Sequence, residues 1–101
     1  MSAPQPTTES TRGDDAREHL LRAIATASAR GEDESLAVCD AVEEVVAEAK
    51  SAGQPPERVL VVLKSLAIRV LDQLRLPLDR ARAAIAWIVR CAVKAYYRRE
   101  A

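Results

Sequence analysis

A chain of 101 residues can enclose one compact core, so a single small domain is expected. Its longest unbroken apolar run, Ala83 to Val89, falls far short of the roughly 20 residues that cross a bilayer, which excludes a membrane span. The 15 Lys/Arg and 15 Asp/Glu cancel but are segregated: residues 1–54 carry 5 against 11, or −6, and residues 55–101 carry 10 against 4, or +6.

Glycine is scarce, phenylalanine is absent and no alternating apolar run of strand length occurs, so local preference favours helix almost throughout. The expected class is all-α. No basic end and apolar core follow Met1, so no signal peptide is expected and the protein reads as cytoplasmic. Cys39 and Cys91 stand far apart in mid-helix, a placement that suits core thiols better than a disulfide framework or a metal knuckle.

Residues 1–13, with two prolines, several Ser/Thr and little to bury, read as a disordered tail, leaving residues 14–101 as the domain. The first helix follows. Ala16, Leu20, Ala23, Ile24 and Ala27 recur at helical steps, Asp14 or Asp15 can cap the start, and Gly31 can end the last turn. Its face is thin and alanine-rich, which predicts the least firmly held helix of the set.

Glu32-Asp33-Glu34-Ser35 is expected to open the second helix, with acids at the positive end of its dipole, and Gly53 to close it. Val38, Cys39, Val42, Val45, Val46 and Ala49 form its core face, while Asp40, Glu43, Glu44 and Glu48 make the other side acidic.

The third helix starts at Pro55-Pro56, where a missing N–H costs nothing. Val59, Leu60, Val62, Leu63, Leu66, Ala67, Val70, Leu71 and Leu74 cover about half its circumference, so it must touch more than one neighbour and is expected to be central. Val61 and Ile68 fall on the otherwise polar side, one heptad apart, either covered by another part of the chain or left for a partner.

Pro77 interrupts the pattern, and a fourth helix is expected from Leu78 or Asp79 to near Arg99, with Leu78, Ala81, Ile85, Ile88, Val89, Ala92 and Tyr96 facing the core. Short connections favour antiparallel neighbours. The expected product is a small antiparallel bundle of four helices, or a three-helix core with a loosely docked first helix.

The block from Ala52 through Pro55-Pro56-Glu57-Arg58-Val59-Leu60 to Leu66, with the terminal stretch from Trp87 to Tyr96-Tyr97-Arg98, resembles a family of small bacterial proteins that end in a Trp-to-Tyr-Tyr helix. The resemblance implies a bacterial, helical, cytoplasmic protein and no particular activity.

A nucleophile with its base, a metal cluster, a phosphate-cradling glycine loop and a HExxH motif are all missing, so no catalytic residue, metal or cofactor is expected and the protein reads as a non-enzyme. Asp40, Glu43 and Glu44 lie one turn apart but opposite the apolar face, as a solvated surface would. His19-Leu20-Leu21-Arg22 is faintly similar to the phosphoacceptor stretch of histidine-phosphotransfer helices; Leu20 and Ala23 depart from that pattern, and an ordinary surface histidine is the plainer alternative.

Trp87 falls opposite Ile85, Ala92 and Tyr96, among Arg80, Arg90, Lys94 and Arg98. Trp and Arg are the side chains most enriched at binding hot spots, so this face is a candidate interaction site, as is the Val61/Ile68 stripe. Trp87 could equally cover the flank of the first helix, stack under an arginine, or serve self-association as a homodimer.

The +6 half allows a DNA-binding accessory role through Arg58, Lys64, Arg69, Arg75, Arg82 and their neighbours, but those residues are spread around two helices and the −6 half would repel phosphate. The leading reading is a helical protein–protein interaction or regulatory module, with a protein partner or a second copy rather than nucleic acid or membrane.

Overall fold

The computed structural model describes residues 8–97, with burial assigned from residue 15 onward. Four helices make up the all-α fold: α1 (Thr8–Arg30), α2 (Leu36–Ser51), α3 (Pro56–Gln73) and α4 (Leu78–Tyr96). Helix α1 opens at Thr8 rather than at the expected Asp14 or Asp15, so residues 8–13 extend it. The rest of the expected tail, residues 1–7, lies outside the described residues, as do Arg98 and Arg99.

Three of the four helices end in the same device. After α1 the N–H of Gly31 donates to Ser28 and that of Glu32 to Ala27; after α2 Gly53 donates to Lys50 and Gln54 to Ala49; after α3 Arg75 donates to Asp72 and Leu76 to Leu71. These paired bonds close a helix on a left-handed residue. Glycine fills that position at Gly31 and Gly53, but Arg75 occupies it at φ 54°, a conformation that costs a side-chain-bearing residue roughly 1–2 kcal/mol. The α3 stop therefore lies two residues before Pro77, the residue expected to impose it.

At its start, α2 uses Ser35 as its N-cap: the hydroxyl oxygen accepts from the Val38 N–H at 3.3 Å. The expected acidic first turn is not there, because Glu32, Asp33 and Glu34 precede the cap and belong to the loop.

The packing order departs from simple succession. Helices α1 and α2 pair as a hairpin, as do α3 and α4, but α2 and α3 touch only slightly; α2 lies instead beside α4, and α3 beside both α1 and α4. Contacts between Ser35 and Trp87 and between Lys50 and Tyr96 advance in the same sense along both chains, so α2 and α4 run parallel. Successive helices thus alternate in direction as expected, but α2 and α3 are not close neighbours, because the turn through residues 52–55 carries α3 away from α2 and against α1 and α4.

Helix α2, packed along two of its sides, replaces α3 as the central element. Its Ala41 and Val42 are fully buried, with Val38, Val45 and Val46 nearly so. Helix α1 is not loosely docked: Leu20 and Ile24 are sealed, and Ala16 and Ala27 allow close approach to α2. The three-helix alternative gives way to a full four-helix bundle.

Helix α4 keeps Ala81, Ile85, Ile88, Ala92 and Tyr96 of the expected face against the core but is turned part-way toward Cys91. Ile88, Cys91 and Ala92 are its buried residues, with Ala81, Ala84, Ile85, Trp87, Ala95 and Tyr96 packed at their margins, while Leu78 is left 64% exposed. Weighing the large aliphatics misses that a helix beside α2 needs small side chains at the contact. Among the described residues, no helix is long and apolar enough to cross a membrane.

Candidate functional site

The surface around Trp87 is built where α4 crosses the loop between α1 and α2. The indole Nε1 donates to the Ser35 carbonyl at 2.8 Å, and the half-buried ring packs against the core, where it helps line a small cavity with Ile24, Ala27, Ser28, Val38 and Ala84. Ser35 thus caps α2 with its hydroxyl and receives Trp87 with its carbonyl. Two turns earlier Arg80 donates from Nη2 to the Ser28 carbonyl at 3.1 Å, placing a cation at the negative end of α1, and its Nε lies 4.0 Å from Asp33.

One turn past the indole, Arg90 reaches Glu34 at 4.0 Å between exposed side chains, a pair worth about 0–1 kcal/mol. Of the candidate residues on this face, Trp87, Arg80 and Arg90 are therefore engaged by their own chain. Lys94 is exposed, and Arg98 lies outside the described residues. The opposite charges of the two halves meet here within one molecule, not only between molecules. Beside the tryptophan runs an open groove of about 560 Å³ whose rim carries Asp33, Glu34 and Arg90.

The far end of α4 has a clasp that sequence reading missed. Tyr96 donates its hydroxyl to the Gln54 carbonyl at 2.8 Å, while Lys50 Nζ donates to the Tyr96 carbonyl at 3.0 Å and sits 5.3 Å from the ring centroid. The available signal was an amphipathic tyrosine near a helix end, with polar backbone to satisfy in the loop after Gly53.

Val61 and Ile68 are placed as the sequence suggested, on the side of α3 away from the core, and no part of the described chain covers them: they are 62% and 55% exposed. The inward face is occupied. Val59, Leu63, Ala67, Val70 and Leu71 are buried, with Leu60 and Leu66 at the margins. Around the exposed pair stand Glu57, Lys64, Ser65, Arg69 and Asp72, all exposed.

His19 is half-exposed, and its Nδ1 lies 2.7 Å from Glu44 Oε2 across α1 and α2. A carboxylate at that nitrogen opposes the approach of a phosphoryl group, since both are anionic. Cys39 and Cys91 are free thiols on facing helices. Burial, then a hydrogen bond and repulsion from Cys39, push the Cys91 thiol up to about 12, which keeps it protonated and poorly nucleophilic.

A cleft of about 170 Å³ between α1, α2 and α3 is lined by Ala16, Val45, Ala49, Val59 and Val62. That is below the roughly 300–1,000 Å³ of small-molecule sites. Among the described residues, no group of three or more His, Cys, Asp or Glu side chains is placed to hold a metal ion. No protein-family model matches the chain, and neither a curated protein nor a solved structure is found to be similar to it.

Proposed function

We propose that this chain is a non-enzymatic helical protein–protein interaction or regulatory module, working in the cytoplasm without a cofactor, and that it binds through the outward face of α3. The observation that carries the reading is the exposure of Val61 and Ile68 on a helix whose other side is packed into the core. Two aliphatics one heptad apart on a helix are the anchors by which helical partners dock. The likeness of the α3 start and the α4 end to a small bacterial family belongs to this reading and brings no activity with it.

The Trp87 face has less to offer a partner, because its indole N–H is already bonded to Ser35 and much of its ring covers the α1–α2 loop. Binding is tested by immobilising the full chain, a Val61→Asp/Ile68→Asp variant and a Trp87→Phe variant, and passing bacterial lysate over each. The expected result is a retained protein that the double variant loses and Trp87→Phe keeps. Retention lost only with Trp87→Phe would move the surface to α4; retention by none of them would count against an interaction module.

A further inference from the structure

We propose that the partner of the α3 face is a second copy of this chain, docked with the two α3 helices antiparallel and Ile68 on the two-fold axis. This rests on the reading of α3 as a binding face. The exposed side of the helix is self-complementary about Ile68. Val61 and Lys64 stand seven and four residues before it and Asp72 stands four after it on the same helix, all of them exposed. An antiparallel two-fold pairing therefore sets Ile68 against Ile68 and each Lys64 against Asp72 of the other copy, with each Val61 just beyond the last turn of the other copy's helix.

Charge selects this arrangement over its rivals. Among the described residues neither Lys64 nor Asp72 has an ion-pair partner within the chain. A parallel pairing would bring Lys64 to Lys64 and Asp72 to Asp72. Sliding the antiparallel pair so that Val61 meets Ile68 would set Glu57 against Asp72, and like charges directly opposed are destabilising. Only the register centred on Ile68 joins an apolar centre to two opposite-charge pairs. Isologous contacts of this kind close at two copies.

One helix face buries less than the roughly 1,200 Å² of a stable complex, so the dimer is expected to be weak, with a Kd on the order of micromolar or above. Exposed ion pairs are screened, so it should also weaken as salt rises.

Sedimentation equilibrium of the full chain over a range of concentrations tests the register. Wild type should dimerise, and Ile68→Asp should be monomeric at every concentration because it places two carboxylates on the axis. Lys64→Asp and Asp72→Lys should each weaken the dimer roughly tenfold or more, since each makes both flanking pairs repulsive. The combined Lys64→Asp/Asp72→Lys variant should recover to within about threefold of wild type. All these side chains are exposed, so each variant should keep its helical circular dichroism.

A wild type that stays monomeric, a dimer that survives Ile68→Asp, or a combined variant no better than the single ones overturns the proposal. The lysate experiment then separates the two claims. Capture of a different protein that is lost in Val61→Asp/Ile68→Asp leaves α3 as the binding face with another partner, whereas no capture removes the face as well.

Discussion

Arg75 and Gly53 do the same job with opposite fitness for it. Both sit just past a helix end in the left-handed region, Gly53 at φ 75° and Arg75 at φ 54°, and both donate to the turn behind them. Arg75→Gly should therefore raise the midpoint of thermal unfolding by removing a cost of about 1 kcal/mol, whereas Gly53→Ala should lower it by a similar amount although the added methyl meets nothing within 4 Å. Calorimetry of the two variants checks the signs. The glycine stops were legible in the sequence because glycine is the usual residue at such a cap. The arginine stop was not, since nothing in the local sequence marks an arginine that adopts that conformation.

Cys91 makes a second prediction at the same scale. Its thiol is held up to about 12 in the folded chain, above the ordinary value of 9.0, so the unfolded chain releases this proton first. The contribution is whole below about pH 9 and is lost as pH climbs toward 12, by up to about 1.4 kcal/mol per pH unit. Denaturation of wild type beside Cys91→Ala across that window should show a steeper alkaline fall in wild type. Parallel curves would contradict the buried, protonated thiol.

At the scale of the helices, the apolar faces of α1, α2 and α3 could be read from spacing alone. Leu20, Ile24, Val42, Val46, Val59 and Leu63 are buried as the helical period requires. How firmly each helix is held could not be read that way, because it depends on the neighbour. The thin face of α1 packs along α2, and Leu20 and Ile24 are sealed there. Leu20→Ala should accordingly cost about 2–5 kcal/mol in urea unfolding, as much as Leu63→Ala on α3. A loss under 1 kcal/mol at Leu20 alone would return α1 to the loosely docked state.

The orientation of α4 was legible only in part, for a related reason: Ala81, Ile85, Ile88, Ala92 and Tyr96 are buried or packed against the core as their spacing suggests, while Leu78 is exposed and Cys91 takes a buried place. A helix packed parallel to α2 gains from close approach what its alanines lack in area. Hydrogen bonds then fix the rotation at the middle of the helix and at its C-terminal end, through Trp87 to Ser35 and Tyr96 to Gln54.

Across the whole molecule, the two candidate surfaces have changed places. The tryptophan face looked like a binding site because Trp and Arg are the side chains that anchor partners. The same chemistry serves equally well to hold α4 on the α1–α2 loop, and a sequence does not say whether the carbonyl that an indole reaches belongs to its own chain. The Val61/Ile68 stripe was the fainter signal and is the one left open.

This division between an internal brace and an external face is tested most directly by urea unfolding of Trp87→Ala beside Ile68→Asp, followed by circular dichroism at protein concentrations low enough to keep the chain monomeric. Trp87→Ala should lose about 3 kcal/mol or more, through lost packing and the freed Ser35 carbonyl, while Ile68→Asp should stay within about 0.5 kcal/mol of wild type. A stable Trp87→Ala protein together with a strongly destabilised Ile68→Asp would contradict the account, by making α4 the free surface and α3 the buried one.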